Sequence, residues 1–175
     1  MLAGKARTDL MYETFDCERC RAPYMELLAA SYIDEDRRPL HQILVDAYFV
    51  QHPGGDDHRA VQRLSICLMT LGMFVADGAD PRLGPRLHKR IVAHGGFRPL
   101  EPRPSAETLH SRMSAADVVR AAGAQEYRTL LRAWGAEVSD AWSAHHAQVR
   151  EWIGSALSRP AAAGGAGGVA PRTRG

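Results

Sequence analysis

Apolar residues recur every three to four positions through the middle of this 175-residue chain, and nowhere do β-branched residues alternate with a period of two. "YMELLAASYI" is a short amphipathic segment. Pro39 suits the first turn of a second helix, because a proline there gives up an N–H that the helix leaves unpaired anyway. Pro53-Gly54-Gly55 stops that helix after His52. Asp56 or Asp57 is placed to cap a third helix, about His58 to Ala76, which Asp77-Gly78 ends. A weaker helix from about Pro85 to Ala93 is closed by Gly95-Gly96, and "FRPLEPRPSAETLH", with three prolines, reads as an extended crossing. "SAAD" at Ser114–Asp117 resembles a capping box opening a short helix. The longest helix is expected from about Gln125 to Leu157. The pattern predicts an all-α, compact bundle of about five to six helices in one domain over residues 12–158, with a flexible arm over 1–11. The Gly/Ala/Pro-rich tail over 159–175 holds nothing large to bury and reads as disordered.

One helix breaks the apolar pattern. "LHQILVDAYFVQHPGG", Leu40 to Gly55, sets two histidines, a tyrosine, an aspartate and a glutamine in an otherwise apolar run. Positions 41, 45, 48 and 52 share one stripe. His41 and His52 lie eleven residues apart, about 16 Å along the axis, too far to hold one ion between them. The following helix should return antiparallel and bring His41 toward Cys67–Leu71, leaving His52 near the turn. His41 is therefore the expected ligand. Tyr48, Gln51 and His52 are expected to line a pocket or orient ligands from behind. Asp46 falls with Gln42 away from the apolar centre, either in that pocket or on a solvent-facing strip.

Charge and composition narrow the functional classes. Net charge is +2 and the arginines are scattered among acids, so no nucleic-acid partner is expected. "LSICLMTLGMFVA" is short for a membrane span and the N-terminus lacks a signal-peptide core, so a cytoplasmic protein without a membrane partner is expected. In that compartment Cys17, Cys20 and Cys67 are reduced thiols or metal ligands rather than structural disulfides.

"CERC" at Cys17–Cys20 has the bite of two thiolates on one metal ion, and zinc is the usual cytosolic choice for sulfur with imidazole. The same spacing suits a redox dithiol, but no strand precedes it as a thioredoxin-like fold requires. Cys67, inside an apolar helix, is a further ligand or a small buried hydrophobe. In the last helix the stripe Tyr127, Leu131, Trp134, Val138, Trp142, Val149 and Trp152 places His145 near its centre and His146 toward its edge. His145 is then a fourth ligand or a satisfied core histidine, and His146 a ligand or proton carrier. His58, His88, His94 and His110 are expected at the surface.

"CERC", "HQILVDAYFVQHPG" and "HHAQVREW" together resemble a family of small bacterial proteins of unknown function. The likeness covers most of residues 17–153. It implies no reaction. It does imply a ligand role at Cys67, where the family pattern carries a polar residue. Arg21 stands where the family's cysteine motif is followed by glycine.

Three functions follow as expectations. One is a zinc protein, with or without catalysis, with Cys17, Cys20 and His41 as ligands and Cys67 or His145 as the fourth. Another is a non-catalytic regulatory or interaction module with a structural zinc site, and the third is a CxxC thiol redox protein. The partner is an unidentified small molecule or protein. No nucleophile elbow, phosphate loop or dinucleotide fingerprint is present.

Overall fold

A computed structural model describes residues 18–110 and 113–158. Cys17, the arm over 1–11 and the tail over 159–175 lie outside them. Every element among the described residues is helical. In chain order these are α1 (Glu18–Ile33), a 3-10 turn (Arg38–Leu40), α2 (His41–Gln51), α3 (His58–Leu71), α4 (Gly84–His94), α5 (Ala106–His110), α6 (Ala115–Val118), α7 (Ala124–Asp140) and α8 (His146–Ser158). The helices outnumber the five or six expected, for two local reasons described below.

The signals for starts and stops act as their chemistry requires. Asp57 caps α3, its carboxylate accepting from the N–H groups of Arg59 and Ala60 at 2.9 and 3.2 Å. Ser114 and Asp117 form the capping box that opens α6. Pro39 sits in the 3-10 turn leading into α2. Gly54 and Gly95, at φ of 75° and 60°, end α2 and α4 in a backbone region that a side chain would strain.

α2 is the central helix, packed on α1, α3 and α7. Ile43, Leu44, Ala47, Tyr48 and Val50 are fully buried, beside Trp134, Trp142, Tyr127 and Phe74. The stretch His58–Ala76 is long and apolar enough to cross a membrane by composition, yet its most apolar window is 67% buried by its neighbours, as a core helix is. α3 widens into a π turn at Gly72–Ala76, and Arg132 of α7 donates to the Phe74 carbonyl there at 3.0 Å.

The expected last helix is two helices. α7 stops at Asp140, a 3-10 turn occupies Ser143–His145, and α8 begins at His146. No glycine or proline marks the break. The Trp142 indole N–H reaches back to the Val50 carbonyl at 3.3 Å, giving an end carbonyl of α2 a partner. The His146 imidazole bridges the break to the Ser139 carbonyl at 3.0 Å. The break shifts the helical register, so His145 leaves the core stripe. It is half-buried, with a ring nitrogen 2.9 Å from the Pro102 carbonyl oxygen. The second departure is α5, a short helix inside the segment read as an extended crossing.

α7 approaches α2 and α3 closely at Gly135. A Cβ there would lie 3.3 Å from Leu71 Cδ2 and from Val75 Cγ2, and 3.5 Å from Ile43 Cγ2. Gly135→Val should destabilise the protein by about 1–3 kcal/mol by overpacking this crossing, measured by urea unfolding. A variant as stable as the wild type would contradict the close approach.

Candidate metal centre

The connection from α1 to α2 is short, so the two helices run antiparallel, and their register can be followed pair by pair. The His41 ring at the start of α2 meets the Ser31 hydroxyl at 2.8 Å. Seven residues on, Tyr48 stacks on Tyr24, seven residues back along α1, with ring centroids 3.8 Å apart and planes at 20°. Four residues further, His52 at the end of α2 reaches Cys20, four residues back from Tyr24. Each pair moves equally far from the connection, as an antiparallel pair must.

Cys20 and His52 do not meet alone. The sulfur of Cys20 and one ring nitrogen each of His52 and His110 all lie within 4.8 Å of one another. The two imidazoles sit 4.8 Å apart between centroids, tilted by 41°. Cys20 and His52 are buried, while His110, the last residue of α5, is exposed. Cys17 lies outside the described residues.

Gln51 holds this meeting together. It is 1% exposed. Its amide donates to the carbonyls of Leu109 and Met113 at 2.8 and 2.9 Å, and its oxygen accepts the Trp134 indole N–H at 3.1 Å. One side chain at the end of α2 thus grips the backbone on both sides of His110 and is itself gripped by α7. Arg103 adds an outer tie, donating to the carbonyls of Gly54 and Gly55 at 3.0 and 3.2 Å and pairing with Asp56.

The electrostatics favour neutral imidazoles. Burial pushes the His52 pKa down to about 4, and the adjacent His110 ring pushes in the same direction. His110 is also lowered by burial. The Nε2 atom of His52 is buried with no hydrogen-bond partner. A neutral ring is the form that binds a metal.

The other residues singled out by sequence are placed differently. His41 does not join Cys20, because the register between α1 and α2 sets it at the opposite end of the hairpin, against Ser31 and Tyr32. Cys67 does not reach His41 either. It faces Asp46, five residues further along α2, and burial and that carboxyl keep its thiol protonated. His145 and His146 are engaged by the carbonyls of Pro102 and Ser139. Tyr48 lies under His52, ring centroids 4.5 Å apart, and Gln51 positions His110.

Asp46 is fully buried rather than solvent-facing. Gln42 donates to its Oδ1 at 2.8 Å, whereas Oδ2 has no hydrogen-bond partner. Thr70 stands beside it, but its hydroxyl donates to the Ile66 carbonyl at 2.9 Å. Burial raises the Asp46 pKa to about 7 against the pull of these polar neighbours. His110, read as a surface residue, is the member of the cluster that sequence reasoning missed.

The model of a family of unknown function, DUF5946, matches residues 9–143, and the chain belongs to that family. No curated protein and no solved structure matches the chain.

Two measurements check this geometry. Gln51→Leu leaves two carbonyls and an indole N–H without partners, so chemical denaturation should show a loss of at least about 3 kcal/mol. A loss under about 1 kcal/mol would contradict the grip on Leu109 and Met113. For His52 the folded pKa is lowered, so folding favours the neutral ring. Its contribution in metal-free protein is complete above about pH 6.5 and falls away toward pH 4. The stability of wild type relative to His52→Gln should therefore drop across that window, by at most about 1.4 kcal/mol per pH unit. A flat difference would show that His52 titrates normally.

Proposed function

We propose that this member of DUF5946 is a zinc-binding helical protein in which Cys20, His52 and His110 are three ligands and Cys17 is the fourth. The observation that carries the reading is the convergence of three separate segments on one buried, neutral imidazole whose Nε2 lacks a partner. Around tetrahedral zinc, neighbouring sulfur and nitrogen ligands stand about 3.4–3.6 Å apart. Closing a cluster of 4.8 Å extent to that size takes shifts of about an ångström, within the reach of side-chain rotation. Thiolate with imidazole is the donor set that favours zinc over calcium or magnesium.

Separated from Cys20 by two intervening residues, Cys17 has the spacing to complete a tetrahedral set. With four protein ligands the ion is structural. It cross-links the start of α1, the end of α2 and α5, and the protein acts as a module rather than through chemistry at the metal. The exposure of His110 favours a second reading. If Cys17 stays off the ion, the position facing solvent beside His110 is open to water, and a bound hydroxide becomes available for hydrolysis. Reduced thiols at this site suit a reducing compartment such as the cytoplasm.

Elemental analysis of protein purified without chelator should find about one zinc per chain. Cys20→Ser, His52→Ala and His110→Ala should each lose it, while His41→Ala and Cys67→Ser keep it. Cys17→Ser separates the two readings: loss of zinc supports the closed site, and retention with a metal-bound water supports the open one. Metal-free wild type would overturn the proposal and leave a dithiol. Because zinc binds only the folded chain, its removal should lower the Tm by about 10 °C when zinc exceeds its Kd a thousandfold.

A further inference from the structure

A second site lies between α2, α3 and α4, lined by none of Cys20, His52 and His110. It is a cleft of about 350 Å³, within the range of small-molecule pockets, about 300–1,000 Å³. Val45, Phe49, Ile66 and Val92 supply apolar walls. Two polar groups in it are buried without partners. One is the guanidinium of Arg63, whose Nε and Nη2 have no hydrogen bond. The other is Oδ2 of the fully buried Asp46, which has no hydrogen bond of ordinary geometry and only the protonated Cys67 thiol facing it.

Leaving these groups unpaired is costly, and each defect has a definite shape. Nε and Nη2 form the edge of a guanidinium that presents two parallel N–H donors, the fork that matches a carboxylate. Phe49 covers one face of that guanidinium, with Cζ 4.6 Å from the ring centroid, and so directs the donors sideways rather than toward the ring. Arg59 lines the same cleft, so two guanidinium groups stand in it with the Asp46 carboxyl. Asp46 asks for the opposite partner, a hydrogen donor. Arg63 stands one turn before Cys67 on α3, and the Cys67 thiol faces Asp46. The acceptor and the fork therefore line one cleft of small-molecule size.

We propose that this cleft binds a small carboxylate that also carries an ammonium or hydroxyl group on a compact apolar body. The carboxylate pairs with Nε and Nη2 of Arg63, the donor group pairs with Oδ2 of Asp46, and the apolar part lies against Phe49, Ile66 and Val92. Cys67 takes no covalent part, because its thiol stays protonated beside Asp46. The site does not depend on zinc.

Four isosteric probes test this: valine, 2-hydroxy-3-methylbutanoate, 3-methylbutanoate and valine methyl ester. Calorimetry and ligand-induced rise in Tm, at millimolar concentrations, should show binding of valine, the hydroxy acid or both. Whichever binds identifies the donor as ammonium or hydroxyl. The plain carboxylate and the ester, each lacking one partner, should bind about tenfold more weakly or not at all. Arg63→Gln should abolish the preference for acid over ester while retaining zinc, which separates failure here from failure at the metal site. Asp46→Asn, which keeps the side-chain shape, should abolish the preference for the donor-bearing acid over 3-methylbutanoate. Absence of binding by every probe, or equal binding by wild type and Arg63→Gln, would overturn the assignment.

Discussion

The side-chain amide of Gln51 is the interaction on which the arrangement depends. It stands at the end of α2, where a helix leaves carbonyls without intrahelical partners and the chain must turn. From there it binds the carbonyls of Leu109 and Met113 and receives the Trp134 N–H, the bonds to Leu109 and Trp134 being buried. The Trp142 N–H on the Val50 carbonyl completes the same end. In a dry interior each bond is strong because the alternative is an unpaired polar group. Four parts of the chain are therefore held at one point, and the outcome is that His52 and His110 stand beside each other. The polar residues of α2 that looked out of place in an apolar helix are the means by which distant segments are attached to it.

A second constraint acts through the pairing of α1 with α2. The Tyr24–Tyr48 stack sets the register of the two helices, and the register brings Cys20 to His52 at one end and Ser31 to His41 at the other. The α2–α3 contact is more extensive but places Cys67 against Asp46 instead. One central helix thus carries two separate polar sites. Near its C-terminal end a thiol and two imidazoles gather. On its α3 side a buried carboxyl and an arginine line one cleft. Both contain buried polar atoms without hydrogen-bond partners.

Much of the architecture was legible from local signals with local causes. Asp57, the Ser114–Asp117 box, Pro39, Gly54 and Gly95 act within a few residues of themselves, so their effects follow from the sequence alone. The break after Asp140 was not legible, because what stabilises it is the reach of Trp142 to the Val50 carbonyl, a contact between residues far apart in the chain. His145 was misplaced for the same reason. The choice of His41 over His52 came from pairing α2 with α3. Pairing α2 with α1 across the equally short connection, and counting outward from it, sets Cys20 opposite His52. His110 was beyond such counting. It reaches the cluster through a long crossing whose position depends on Gln51, and no spacing in the sequence encodes that bond.

Zinc-edge X-ray absorption of the metal-loaded protein reads the central claim most directly, because it reports the donors around the ion. The account predicts a four-coordinate shell with two imidazole nitrogens at about 2.0 Å and sulfur at about 2.3 Å, losing one imidazole in His110→Ala reloaded with zinc. A shell of oxygen donors, or a spectrum unchanged by His110→Ala, would contradict it.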